Sequence, residues 1–335
     1  MAPKFEEGIE SVDGIPLRSE ETGFRPDELL SCGRCRRTNP PNRLECLYCG
    51  DNLVIDGGDV KAVELKIRGL EAWEKGFNVV LVGKTVSAVT DDIAPLFHDL
   101  GIDDGLIKRI LEFESPTPLA RVPTEAACRV IESRITKLGA KVAMVSDLDI
   151  DAETSPVRLR SCSIEKEKLV LTTFNTNQAI EFPFGTLSAI VTGMIIETHS
   201  EKTVKKKKGN YLGSEDAVIS SDAGAADLYF DGEPNGFRIM TTGFDFSFLG
   251  DAKSILAADN LKLLVSKLEG LIPNAKIFSD YQVKRKLLDS VWPCRSQNES
   301  KGFVRSGFGV SLSRGEFTSN VEQFTKYSRL VRHTL

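Results

Sequence analysis

The sequence predicts a multidomain α+β protein. It comprises a four-cysteine zinc ribbon or knuckle at 30–52, a small α/β domain of βααβαβ-like order at 60–146, and a β-barrel or sandwich closed by one C-terminal capping helix at 157–273. Three observations carry that prediction. Cys32, Cys35, Cys46 and Cys49 form two Cys-x2-Cys pairs. Between 60 and 146, apolar stripes at helical spacing alternate with short Val-rich runs; from 157 onward the pattern changes to short strands separated by turn residues. A flexible acidic arm at 1–29 and a basic, partly disordered tail at 281–335, ending in a short amphipathic helix, complete the expected layout.

Residues 1–29 are rich in Gly, Ser, Glu and Pro and show no sustained periodicity. In the following SCGRCRRTNPPNRLECLYCG, each short cysteine pair sets two thiolates on one tight turn. Two such turns face to face supply the four tetrahedral sulfur ligands that structural Zn²⁺ prefers, and they leave no open coordination position. The expected metal therefore folds a module and does no chemistry. Two disulfides or four free thiols are the alternative, but nothing in the chain suggests an oxidising compartment, and the three other cysteines, Cys128, Cys162 and Cys294, are an odd, scattered set. The full spacing Cys-x2-Cys-x3-Asn-x6-Cys-x2-Cys, with Asn39 in the connecting loop, resembles the Ran-binding-protein type of zinc finger over 30–50. That resemblance implies a small metal-held fold whose partners are single-stranded RNA, ubiquitin or other proteins. Leu30 stands where the RNA-binding members carry an aromatic, and Arg36-Arg37 where the ubiquitin-binding members carry Thr-Phe. Arg34, Arg36, Arg37 and Arg43 make the module basic and are candidate anion contacts.

Residues 60–74 place Val63, Ile67 and Leu70 at helical spacing, and FNVVLV at 77–82 is too short for a helix and reads as a buried strand. Apolar segments at 93–100 and 106–111 follow, then the proline-bounded extended stretch SPTPLARVP. A helix over 124–138 carries Ala127, Ile131, Ile135 and Leu138 on one stripe, Gly139 sits where a left-handed cap belongs, and KVAMV at 141–145 is a strand. This order, with LIKRILE and ITKLGAKVAMV, resembles the C-terminal domain of the bacterial ribosomal stalk protein over 77–145. In that family basic residues on the first helix contact translation factors; Val89, Ala94 and Phe97 occupy those places here, so the resemblance implies protein recognition on a small scaffold.

Residues 146–156 read as an acidic, proline-ended linker. Candidate strands then fall at 157–162, 169–174, 179–182, 187–197, 218–220, 226–230 and 237–242, followed by a helix capped by Asp259 with Leu261, Leu264, Val265, Leu268 and Leu271 on its stripe. Strands closed by one amphipathic helix, with LVLTTFNTNQAIEFPFGTLSAIV, resemble a bacterial pleckstrin-homology-like domain over 157–273; such domains bind phosphoinositides, peptides or proteins. Lys205, Lys206, Lys207 and Lys208 are placed in a loop between two strands as further candidate anion contacts. In the tail, Phe324, Tyr327, Leu330 and Val331 recur at helical spacing.

Catalytic motifs fail on inspection. Gly83-Lys84-Thr85 lacks the glycine five positions earlier that a phosphate loop needs, because Asn78 stands there. Asp147, Asp149 and Asp151 alternate as in a calcium loop, but Ala152 replaces its glycine and Arg158 its closing glutamate. His98, His199 and His333 fall in three separate segments. The N-terminal residues lack the order of a signal peptide and no run approaches the ~18 apolar residues that cross a bilayer, so a cytoplasmic location is expected. The reading is a non-catalytic cytoplasmic adaptor or regulatory protein that binds other proteins through the zinc module and two small recognition domains, with no small-molecule substrate. An RNA- or ribosome-associated factor and a peripheral protein of anionic membrane surfaces are the alternatives.

Overall fold

The computed structural model describes residues 11–12, 15–16, 29–40, 43, 46–51, 53, 70, 74–83, 109–110, 113, 115–207, 210–306 and 309–335. The expected helix at 60–74 lies outside them apart from Leu70 and Glu74, as do the segments at 93–100 and, but for Arg109 and Ile110, at 106–111. The chain divides into two compact units, Met1–Lys66 and Ile67–Leu335. It is a mixed α/β protein in which sheets dominate, and none of its described helices is long and apolar enough to cross a membrane.

In the first unit, β1 (Ser11–Val12) pairs with β2 (Ile15–Pro16), and β3 (Leu30–Ser31) with β4 (Thr38–Asn39), both antiparallel. The second unit begins with β5 (Phe77–Leu81), the centre of a three-stranded antiparallel sheet between β6 (Thr117–Val122) and β7 (Val142–Ser146). Its apolar run is explained by burial: Val79, Val80 and Leu81 are all at most 1% exposed. Helix α1 (Glu125–Lys137) starts where Thr124 Oγ1 accepts from the Ala127 amide at 3.3 Å, buries Ala127, Ile131 and Ile135, and ends before Gly139 in the left-handed region.

The stretch expected to be an acidic linker is built differently. Asp147 opens the short helix α2 (Asp147–Ile150) and is buried, accepting at 2.8 Å each from the Gly76 amide, Asn78 Nδ2 and Arg121 Nε. These donors and the Arg121 guanidinium satisfy the oxygens of the buried carboxyl group. It ties β5, β6 and β7 into one piece.

The large sheet contains β8 (Val157–Glu165), β9 (Lys168–Thr173), β10 (Ala179–Pro183), β11 (Leu187–Lys207), β12 (Asn210–Phe230) and β13 (Phe237–Met240). After α3 (Ala257–Leu271) come β14 (Lys276–Phe278), α4 (Tyr281–Val291), β15 (Arg295–Ser306), β16 (Gly309–Ser319) and α5 (Val321–His333). The strand order is β10-β9-β8-β13-β12-β11-β16-β15, with β14 parallel to β11.

Two expectations are corrected here. The candidate strands at 218–220 and 226–230 are one strand, β12, paired with β11 straight through Ile195↔Ala223 and Met194↔Gly224. Gly224 is there for close approach and makes no turn: a Cβ on it would sit 3.0–3.1 Å from Thr241 and Leu261. Asp259 does not cap α3; the helix starts earlier, after Leu256, while Asn260 folds back to bond the Ser254 amide and carbonyl at 2.6 and 2.8 Å.

The tail expected to be partly disordered is integral to the sheet. Gly309–Ser319 pairs with β11 from Glu197 to Lys207, and a Gly- and Ser-rich sequence can do so because ladder hydrogen bonds use the backbone alone. Alternation along β11 and β12 then sets the layers. Ile190, Ala226 and Leu228 face α3 through Leu261, Leu264 and Leu268. Ala189, Val191, Ala225 and Tyr229 face the opposite side, where α4 and α5 contribute Tyr281, Leu288, Phe324, Tyr327 and Leu330, and the small sheet adds Val80 and Val145. Segments expected as separate modules thus share one core.

Lys284 fastens this core and is fully buried. Its ammonium donates to Ser115 O at 3.2 Å, Ser115 Oγ at 2.5 Å and Pro116 O at 3.0 Å, and pairs with Asp280 at 3.0 Å. Every one of these neighbours stabilises the charged form, which makes the group a clamp between α4 and β6 and a poor general base. Burial nonetheless outweighs Asp280 and lowers the Lys284 pKa to about 8.

Two outcomes are expected. A methyl at Gly193 would lie 2.6–2.8 Å from the rings of Phe324 and Tyr281, so Gly193→Ala should cost ~1–3 kcal/mol, whereas Gly185→Ala, in open space, should stay within ~0.5 kcal/mol of the parent. Equal unfolding midpoints for the two variants would disprove the seating of α4 and α5 on β11. Between pH 8 and the unfolded Lys value of 10.5 the folded chain binds fewer protons at Lys284 than the unfolded chain, so this group's burial cost fades as pH rises. The Lys284 contribution to stability should therefore climb from pH 8 toward pH 10, while Cys128 and Cys162, whose thiols burial raises to about 12, pull the other way above pH 9, as do Tyr229 and Tyr281, both raised by burial, above pH 10. Lys284→Met should flatten the climb in urea titrations; an unchanged slope would refute the assignment.

Candidate metal centre

The four cysteines of the first unit come together. Their sulfurs all lie within 4.8 Å of one another, with Cys32 Sγ to Cys49 Sγ at 3.6 Å and Cys35 Sγ to Cys46 Sγ at 3.4 Å. Tetrahedral sulfur at the usual zinc distance of ~2.3 Å would have S···S edges of ~3.8 Å, so the quartet fits a metal of that size. Cys32 and Cys46 are buried, and Leu53 packs against them with Leu30.

Two turns of the same design position these thiols. In the first, the Arg36 amide donates to Cys32 O at 2.9 Å and the Cys32 amide to Arg37 O at 3.0 Å. In the second, the Gly50 amide donates to Cys46 O at 3.0 Å and the Cys46 amide to Asp51 O at 2.8 Å. The fifth residue of each turn must adopt a left-handed backbone: Gly50 has φ +71°, and its counterpart Arg36 has φ +58°. Glycine does this freely, whereas a side chain there costs ~1–2 kcal/mol.

Asn39 braces the two turns. Fully buried, it donates from Nδ2 to Arg37 O at 2.9 Å and toward Cys46 Sγ at 3.5 Å, and accepts at Oδ1 from the Leu47 amide at 2.8 Å. Its place in the cysteine motif was the only sequence signal of this role.

The sulfurs do not ionise alike. Burial pushes the Cys46 thiol up, but amides of Tyr48 and Cys49 and the side chains of Cys35 and Asn39 outweigh it and bring it to about 6. At Cys49 the Asp51 amide lowers the pKa, while burial and the three neighbouring sulfurs push it up to about 12. Cys46 and Cys49 are thus driven in opposite directions, since like charges at this spacing repel. A divalent cation among the four sulfurs would relieve that repulsion.

Of the other residues singled out from sequence, Arg34, Arg36, Arg37 and Arg43 are all exposed around the centre. Lys205, Lys206 and Lys207 lie in strand β11 and not in a loop, because β12 and β16 pair with β11 to its end; Lys208 lies outside the described residues. Sequence reasoning missed Leu47 and Tyr48 on the second turn, 52% and 56% exposed, with the Arg37 guanidinium 4.6 Å from the Tyr48 ring. Their placement between two ligands was the available signal.

In the second unit a cleft of about 510 Å³ is lined by Arg121, Asp147, Glu197, Arg295 and Lys326 among others. Arg121 pairs with Asp147 at 2.7 Å and Lys326 with Glu322 at 2.9 Å, so its charges are largely spent on one another. No known protein family, characterised protein or solved structure matches this chain.

Asn39→Ala should weaken binding of Co²⁺, read from its thiolate charge-transfer absorption, by about 10–100-fold, in line with other partners of metal ligands. Unaltered affinity would remove Asn39 from the metal site.

Proposed function

We propose that this chain is a non-catalytic adaptor. Its first unit holds a structural Zn²⁺ on Cys32, Cys35, Cys46 and Cys49 and uses its outer surface to bind another protein. The observation that carries this reading is Arg36. At the position where the sister turn has Gly50, the chain keeps an exposed arginine in a left-handed conformation. Strain of this kind persists where a side chain is needed for something other than stability. Arg36 stands with exposed Arg34, Arg37 and Arg43 beside the exposed Leu47 and Tyr48.

An apolar pair flanked by guanidinium groups suits a protein segment with an apolar anchor and acidic neighbours. Four sulfur ligands leave the ion no position for substrate, which supports a structural metal. A second reading, single-stranded RNA, is favoured by Tyr48 stacked with Arg37, a pairing that suits bases as well.

Purified protein is expected to carry one zinc per chain by elemental analysis. Arg36→Gly should stabilise the metal module by ~0.5–1 kcal/mol while abolishing capture of its partner, and Leu47→Ala with Tyr48→Ala should abolish capture with zinc retained. Capture of the same proteins by all variants would overturn the adaptor reading. Capture that survives nuclease only in the parent chain supports protein; capture lost to nuclease supports RNA.

A further inference from the structure

We propose that the free edge of β12 from Asp216 to Asp222 accepts, as an added strand, an extended segment of another protein that is apolar at its centre and basic at both ends. The inference goes beyond the adaptor reading and does not rest on it. On the outer side of β12, β13 pairs only with Ala225, Ala226, Asp227 and Leu228. The Thr241 amide gives one more bond, to Gly224 O at 2.8 Å, and the chain then turns away through Gly243, whose φ is +81°. Past that point β12 stays paired with β11 on its inner side as far as Lys202↔Asp216 and beyond. Among the described residues nothing pairs with its outer side there.

Alternation fixes which backbone groups face outward. Gly224 directs its carbonyl at Thr241, so Asp222, Ser220, Val218 and Asp216, each two residues further along, turn their amides and carbonyls the same way. No register shift interrupts the pairing of β12 from Gly213 to Tyr229, so this parity holds along the whole edge. An incoming antiparallel strand would exchange two hydrogen bonds with each of those residues. Edges of this kind are a liability that proteins blunt with proline, a bulge or a covering element; among the described residues 216–222 have none of these.

Side chains and charge then select the occupant. Val218 and Ile219, on opposite faces of β12, are 67% and 70% exposed. Ile219 begins a cross-strand row with His199, Phe317 and Gln297, in which the His199 and Phe317 rings stand 4.5 Å apart. An apolar side chain laid opposite Ile219 would lengthen that row, and one opposite Val218 would cover the other face. Asp216 and Asp222 bracket this centre, exposed and about 20 Å apart on one face, with no Lys or Arg between them. Lys202 lies opposite Asp216 on β11, but Asp222 meets only Ile196. A second copy offering the same edge would bring acid to acid. A strand with Lys or Arg at those two places gains where the copy loses.

The test uses the full zinc-loaded chain and a fluorescein-labelled peptide, Lys-Thr-Thr-Val-Val-Thr-Lys. In the antiparallel register it sets Lys opposite Asp222 and Asp216, and Val opposite Ile219 and Val218. Saturable binding by anisotropy is expected, and binding about tenfold weaker when both Lys are replaced by Glu or the same residues are scrambled. Asp216→Lys with Asp222→Lys should reverse the preference, so that the Glu peptide binds the tighter. Ser220→Pro removes one outward amide and leaves the bonds to β11 in place. It should weaken binding about tenfold at an unchanged unfolding midpoint, whereas Ser220→Ala should bind as the parent does. No saturable binding, equal binding of the scrambled peptide, or Ser220→Pro binding as tightly as the parent would each overturn the proposal. Self-association of the peptide-free chain that Ser220→Pro abolishes would assign the edge to a second copy and overturn it too. Leu47→Ala with Tyr48→Ala should leave peptide binding untouched, which separates a failure here from a failure of the adaptor reading.

Discussion

A strand buried in a sheet must place every amide and carbonyl, and β11 meets that requirement on both sides over most of its 21 residues. One edge runs along β12 from Leu187 to Lys207; the other is shared, β14 taking Ala189–Val191 and β16 taking Glu197–Lys207. The layers follow from it. Side chains alternate across β11, so one face seats α3 while the other seats α4 and α5, and those two helices in turn reach the small sheet, where the Trp292 indole donates to Asn78 Oδ1 at 3.0 Å. Removing the pairing would strand both helical layers.

Polar groups inside these layers connect elements the hydrophobic effect alone would leave free to slide, although among the described residues Arg285 Nε and Arg329 Nε are buried without a hydrogen-bond partner. Arg238 and Asp227 form a bidentate pair at 2.7 Å with the guanidinium over the Phe324 ring, locking β12 and β13 to α5. Asp147 does the same for the small sheet and Lys284 for α4 against β6. Breaking such pairs is costly because the survivor is left charged and dry, so they specify one arrangement even where they add little net stability.

Among the described residues of the first unit the buried cluster is Cys32, Cys46 and Leu53. Electrostatics of the sulfurs acts within it. Hydrogen bonds from Asn39 and the turn amides draw the first thiolate out at Cys46, and crowding holds back the last at Cys49. A divalent cation would resolve the tension, and the backbone of both turns is already folded around the four sulfurs. The strained residue in this scheme, Arg36, closes the first turn through its backbone, which glycine would do with less strain.

Legibility in the sequence tracked the range of the interaction involved. The cysteine quartet, the strand at 77–82, the helix begun by Thr124 and the amphipathic stripe of α3 were all readable, since each is set by residues a few positions apart: two thiols on one turn, a cap three residues from its amide, a 3.6-residue period. Continuity of β12 through Asp222 and Gly224, the recruitment of 309–319 into the sheet, and the burial of Asp147 and Lys284 were not. They are decided by backbone ladders and ion pairs between segments distant in the chain. Backbone hydrogen bonds read no side chain, so a Gly- and Ser-rich stretch can look disordered alone and become a strand once β11 offers it an edge. The sequence by itself determined local geometry and the cysteine pairs that come together, and tertiary structure alone decided which distant stretches share a sheet.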